Sequence, residues 1–271
     1  LRVMNGEDIT KLTTTGHSDI PRLKSGGMDL EVFVIWVDPN AYLPVGAFER
    51  ANAMIDALEN VEKQIPDQLE IVRTFDGLQK IENAGKLAAF IGVEGGHPIE
   101  NSLEKLEYFY DRGMRYLGLT WNNSNDWATS AKDETSGEEL EFTGLTEFGK
   151  KVLNKCNELG IIVDVSHSGE KTFWDAIAIS TKPVIASHSS VYNLCPHFRN
   201  LKDDQLFAIQ NNGGVVFVNF YPGYIDSTFE KRASKVRETY RSKLDSLKDK
   251  FGESSDGYWY KSMELMKDDM T

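Results

Sequence analysis

Short unbroken apolar runs alternate along the chain with stretches in which apolar positions recur every three or four residues. The runs starting at Leu30 (LEVFVIWV), Lys86 (KLAAFIGV), Met114 (MRYLGL), Ile161 (IIVDV), Val184 (VIA) and Gly214 (GVVFVNF) predict six strands. Their continuity predicts strands covered on both faces, as in a parallel sheet. Between them, helical periodicity predicts helices over 48–65, 76–84 with Asp76 as N-cap, 101–112, 146–159, 170–180 and 203–211. Gly113 and Gly160 stand where helices stop. Residues 69–73 are too short and polar to count as a strand, 13–16 reads as a turn, and 227–250 is charged with helical stretches. The last stretch, 251–271, is polar with a helical close.

This alternation is the signature of an α/β fold. A TIM-type (β/α)8 barrel needs eight strands, two more than the runs supply. Either a barrel is incomplete in this chain or the sheet is open. No sequence repeat accompanies the alternation, so it is architectural. The 271 residues suit one barrel domain, with 228–271 as its helical C-terminal part.

Composition narrows the partners. A net charge of −12 argues against nucleic acid or an anionic membrane. No stretch approaches the roughly 18 apolar residues of a membrane span and no signal peptide opens the chain, so a soluble protein of cytoplasm or periplasm is expected. A start at Leu1 rather than Met suggests processing or truncation. Cys156 and Cys195 make neither a disulfide framework nor a Cys-rich zinc site, and Cys156 falls in the apolar stripe of a helix.

Candidate chemistry collects at strand ends, the edge where parallel α/β proteins build their sites. Residues 160–190 state one pattern twice: an apolar run stops at Ser166-His167-Ser168, and the next stops at Ser187-His188-Ser189. One histidine at a strand end is ordinarily a satisfied loop residue; two at equivalent positions of consecutive units can share a metal ion. The run from Lys86 ends at Glu94-Gly95-Gly96, and a buried carboxylate there needs a cation. Glu94 is therefore the candidate third ligand, the alternatives being an arginine partner or solvent. His17-Ser18-Asp19 has ligand-like spacing, but no apolar strand precedes it, so a turn capped by Asp19 is the better reading. Trp121 and Trp127, in a polar loop running to about Thr143, either wall a ligand site or anchor packing. Arg199 is either a carboxylate clamp or a surface arginine.

Taken together, GVEGGH at 92–97, MRYLGLTWN at 114–122, VDVSHS at 163–168, VIASHSS at 184–190, Arg199-Asn200 and VNFYPGY at 218–224 resemble the membrane (renal-type) dipeptidases and their bacterial relatives. These are zinc peptidases on a TIM-like barrel within the amidohydrolase group. The resemblance runs in order from about Thr15 to Ile225. It implies two zinc ions bridged by Glu94, with His167 and His188 completing the second. It also implies that Arg199 holds the substrate carboxylate, that Tyr224 lines the same pocket, and that Trp121 stands where many members have a histidine that stabilises the transition state. A zinc-bound water, its pKa lowered to roughly 7, would attack the scissile carbonyl of a dipeptide.

Three departures accompany the resemblance. The H-x-D pair of the first zinc belongs upstream of this sequence, and His17-Ser18-Asp19 matches a different, non-ligand segment. The aspartate expected to handle protons would lie beyond Thr271. Cys195 corresponds to a cysteine that pairs with a later one in the family, but here the matching position is Ser227. The first and last strands of a barrel are thus the ones missing from the count. The expected function is zinc-dependent dipeptide hydrolysis; the sequence leaves open whether the chain forms a homodimer as relatives often do. Another amidohydrolase-type reaction (lactonase or deaminase) and a non-catalytic peptide- or zinc-binding barrel are the alternatives.

Overall fold

Seven parallel strands form one sheet: β1 (Leu30–Trp36), β2 (Leu69–Ile71), β3 (Leu87–Glu94), β4 (Met114–Gly118), β5 (Ile162–Asp164), β6 (Ile185–Ser189) and β7 (Val215–Val218). Their order is β1-β3-β4-β5-β6-β7, with β2 paired to β3 off this path. The sheet curls with helices outside it, an incomplete TIM-type barrel that leaves β1 and β7 at its ends. The computed structural model describes residues 2–14, 16–252 and 256–269; Thr15 of the expected turn lies outside them.

Two compact units make up the chain. The first, Leu1–Ser189 with Asp204–Val218, contains the whole sheet; the second is Ser190–Asp203 with Asn219–Thr271. In the second unit the charged C-terminal sequence forms the helices Phe229–Thr239, Arg241–Phe251 and Asp256–Met266. Among the described residues no helix is long and apolar enough to cross a membrane.

Residues i and i+2 of a strand share a face, which divides the sheet's apolar residues into two sets. Ile35, Met54, Leu58 and Val61 meet between β1 and the helix Ala47–Gln64. On the concave side Val32, Val34, Phe90, Tyr116, Ile162, Ile185 and Phe217 line a hollow of about 520 Å³ that reaches Glu94 and His188. Glycine makes room in this wall: a Cβ on Gly92 would lie 2.0 Å from Tyr116 Cζ.

The structure corrects four expectations. Residues 69–71 are a strand, because Leu69 and Ile71 are buried and pair with Leu87 and Ala89; pairing outweighs shortness. β1 is not covered on both faces: Val34 is 42% exposed, since a sheet end lacks a neighbour there. Gly214–Phe220 contributes only Val215–Val218, with Phe217 exposed. Thr74, not Asp76, caps the helix Phe75–Asn83: its backbone is extended and its hydroxyl accepts from Gly77 N at 3.0 Å. The helices Leu103–Asp111, Glu147–Leu159, Glu170–Ile179 and Asp203–Asn212 lie within a few residues of their predicted bounds.

Candidate metal centre

β3, β5 and β6 bring the carboxylate and the two histidines together. Glu94 is the last residue of β3, and the chain leaves it through Gly95, whose φ of +88° suits glycine. His188 lies within β6, one residue before its end. His167 follows β5 in a tight turn with φ +67°, a left-handed conformation that is uncommon for a side chain of this size. That turn swings the imidazole back over the strand ends. Its carbonyl accepts from Ala131 N at 2.8 Å, which ties the turn to the long loop after β4.

The three ligand-type atoms face one another. His167 Nε2 lies 2.9 Å from His188 Nε2 and 3.1 Å from Glu94 Oε1, and His188 Nε2 lies 3.2 Å from the same oxygen. Among the described residues this is the group of histidine and acidic side chains whose ligand atoms converge, all within 4.8 Å of one another. Burial opposes ionisation of Glu94, yet positive charge beside it, carried by the two imidazoles when their facing nitrogens are protonated, holds its carboxyl down at about 2.

Hydrogen bonding decides what the imidazoles present. His167 Nδ1 is 3.0 Å from Asn122 Oδ1, an acceptor, so Nδ1 carries a proton, and in the neutral ring Nε2 offers a lone pair. A lone pair aimed at a carboxylate oxygen and at a second ring nitrogen, all within about 3 Å, is repulsive unless a proton or a metal cation lies among them. Two imidazoles and a carboxylate are a donor set suited to zinc. The geometry therefore fits a divalent metal.

The substrate-side expectations fall in two places. Trp121 is half-buried, its ring 4.9 Å from Trp36 and 6.2 Å from His167, so it stands beside the cluster. Trp127 is 1% exposed and is a packing anchor: a Cβ on Gly96 would meet its Cζ2 at 2.1 Å. In the second unit Arg199 is buried at 3% exposure with its guanidinium 5.6 Å from the Tyr224 ring centre. Asn200 supports them by donating to the carbonyls of Cys195 (2.8 Å) and Tyr224 (2.9 Å). Arg199 is thus no ordinary surface arginine.

Other candidates have structural duties. Asp19 caps the helix Ile20–Ser25 and pairs with Arg22 at 2.7 Å, while His17 is exposed. His97 is buried with Nε2 2.9 Å from Val37 O, fastening the turn after β3 to the end of β1. Both cysteines are free and buried, and burial pushes the Cys156 thiol up to about 12.

Asp164 and Asn122 went unnoticed in the sequence. Asp164 ends β5 at 1% exposure. A signal for it existed, because a carboxylate between Val163 and Val165 in an apolar run is costly to bury without partners.

The profile of the membrane dipeptidase family, peptidase family M19, matches residues 1–254. The chain belongs to that family. A dipeptidase of Schizosaccharomyces pombe is 35% identical over 230 residues, covering 81% of this chain and 55% of the relative. Dipeptidase 3 of Mus musculus is 34% identical over 232 residues, covering 84% of this chain and 45% of the relative. The chain thus spans about half the length of these curated relatives. Among solved structures, a metallopeptidase from Rhodobacter sphaeroides bound to a phosphinate mimic of the dipeptide L-Ala-D-Ala aligns with a TM-score of 0.75 at 27% identity, covering 93% of this chain and 80% of its own. The M19 dipeptidase AC aligns with a TM-score of 0.74 at 29% identity, covering 83% of this chain and 70% of its own.

Proposed function

We propose that the protein is a zinc-dependent dipeptidase in which Glu94, His167 and His188 would hold metal. The observation that carries this reading is the convergence of three electron-rich atoms on one point, with the His167 lone pair directed there by Asn122. Family membership supports a metallopeptidase, and the phosphinate-bound relative supports a dipeptide as substrate.

Zinc held by Glu94, His167 and His188 would supply Lewis-acid polarisation of a carbonyl and activation of water. The protein's own residues do the rest. Glu94 supplies the negative charge of the centre, its carboxylate facing both histidines. Asn122 orients His167, and the half-buried Trp121 limits water on the His167 side. Arg199, pre-oriented against Tyr224, is the proposed holder of the substrate's terminal carboxylate, through the planar fork that suits such a group.

The test is zinc titration of metal-free protein together with a panel of dipeptides, lactones and amidines. Glu94→Gln and His188→Ala should each cost more zinc affinity than the roughly 10–100-fold typical of an outer-shell residue, and dipeptide cleavage should fall with it. Arg199→Met should raise KM for dipeptides far more than it alters zinc affinity. Undiminished dipeptide cleavage by both Glu94→Gln and His188→Ala would sink the reading.

A further inference from the structure

We propose that Asp164 is a positioning residue of the centre, fixing through the Ser187 hydroxyl which ring nitrogen of His188 carries the proton. The inference rests on the reading of His188 as a metal ligand. Asp164 Oδ1 accepts from the backbone amides of Ser166 (3.0 Å) and Ser187 (2.9 Å), and Oδ2 lies 2.6 Å from Ser187 Oγ. Ser187 Oγ in turn lies 2.7 Å from His188 Nδ1.

Proton counting orders this chain. A serine hydroxyl has one hydrogen to give. If it went to His188 Nδ1, Asp164 Oδ2 and Ser187 Oγ would be two oxygens 2.6 Å apart with no proton between them. The hydroxyl therefore donates to Asp164 and accepts from His188 Nδ1–H. With its proton on Nδ1, neutral His188 presents a bare Nε2 to Glu94 and His167, as His167 does by way of Asn122. Two different devices thus set one tautomer in both rings.

The same carboxylate also compensates for a weak point in the sheet. β5 and β6 share a single register pair, Asp164 with Ile185. Beyond it the strands are joined by Val165 N donating to Ile185 O at 2.8 Å, by Asp164 itself and by His188 N donating to Ser166 Oγ at 3.1 Å. A purely structural role has to be separated from the tautomer role, and the variants below do so.

In Asp164→Asn the new carboxamide NH2 can donate to Ser187 Oγ, which turns the hydroxyl toward His188 Nδ1 and moves the ring proton to Nε2. Ser187→Ala removes the relay but leaves the bonds from Asp164 to the backbone amides. The experiment is long-range proton–nitrogen NMR on metal-free, ¹⁵N-histidine-labelled protein at mildly alkaline pH, with zinc affinity measured in parallel. Expected are the Nδ1–H form of His188 in the parent, the Nε2–H form in Asp164→Asn and a mixture in Ser187→Ala. Zinc affinity should fall about 10–100-fold in Asp164→Asn, and Ser187→Thr should restore the parent tautomer.

An Nε2–H form of His188 in the parent, or an unchanged tautomer in Ser187→Ala, overturns the proposal; the latter would leave Asp164 as a strand tie only. If Asp164→Asn does not fold, the two Ser187 variants decide alone. Loss of zinc binding in His188→Ala with none in Asp164→Asn or Ser187→Ala would refute the proposal and spare the metal reading. Unchanged zinc binding in His188→Ala would refute the metal reading itself.

Discussion

Glu94 and Asp19 are two carboxylates held at about 2 against the opposing effect of burial, by different partners. For Asp19 the partners are the amides of Thr13 and Arg22, the Arg22 guanidinium and the Thr13 hydroxyl. A carboxyl depressed in the folded state adds stability above its ordinary pKa, and that stability fades as pH falls from about 4 toward the folded value. Asp19→Asn should therefore loosen the helix Ile20–Ser25 at neutral pH and match the parent near the bottom of that range. Hydrogen exchange at the Arg22 amide measures this, and a gap that persisted at the lowest pH would mean the cap does not depend on charge. His17-Ser18-Asp19 and the true cluster illustrate what residue spacing conveys. Glu94, His167 and His188 were legible because each ends an apolar run, while Asp19 is consumed by a cap. Asp164 and Asn122 bond to Ser187 and His167, partners distant in the chain, which no local pattern reveals.

Elements are held by small residues and caps placed where the chain turns. Gly96 donates its amide to Leu119 O at 3.2 Å while Trp127 fills the space a side chain would need. Gly96→Ala should cost about 1–3 kcal/mol by overpacking, seen in urea denaturation; a midpoint equal to the parent's would show that Trp127 gives way. Thr146, capping Glu147–Leu159 through Gly149 N at 3.3 Å, should cost about 1 kcal/mol on change to Ala by the same measurement. Most helices and six strands were legible from periodicity. β2 was not, since its three residues are strand only by pairing with β3, and the Thr74 cap was not, since a capping residue is chosen by backbone conformation.

At the scale of the whole molecule, the choice between barrel and open sheet was beyond strand counting. It rests on curvature, a property of the assembled sheet. The curl leaves apolar side chains on view in its hollow: Val34 is 42% and Phe217 53% exposed. Contiguous apolar surface of this kind takes up hydrophobic dyes and favours association. The chain should bind such a dye under native conditions, and Phe217→Lys should reduce both dye binding and concentration-dependent assembly. Equal dye uptake by parent and variant would count against the hollow as the binding surface.

Curvature also has a mechanical side. From β3 to β6 there are three strand spacings, about 14 Å along a flat sheet, yet Glu94 Oε1 and His188 Nε2 are 3.2 Å apart. The two side chains meet across the chord of an arc, as a string spans a bow. An ion held by both would tie the two strand ends together, so the bend of the sheet and the hold on the ion would stiffen or slacken together.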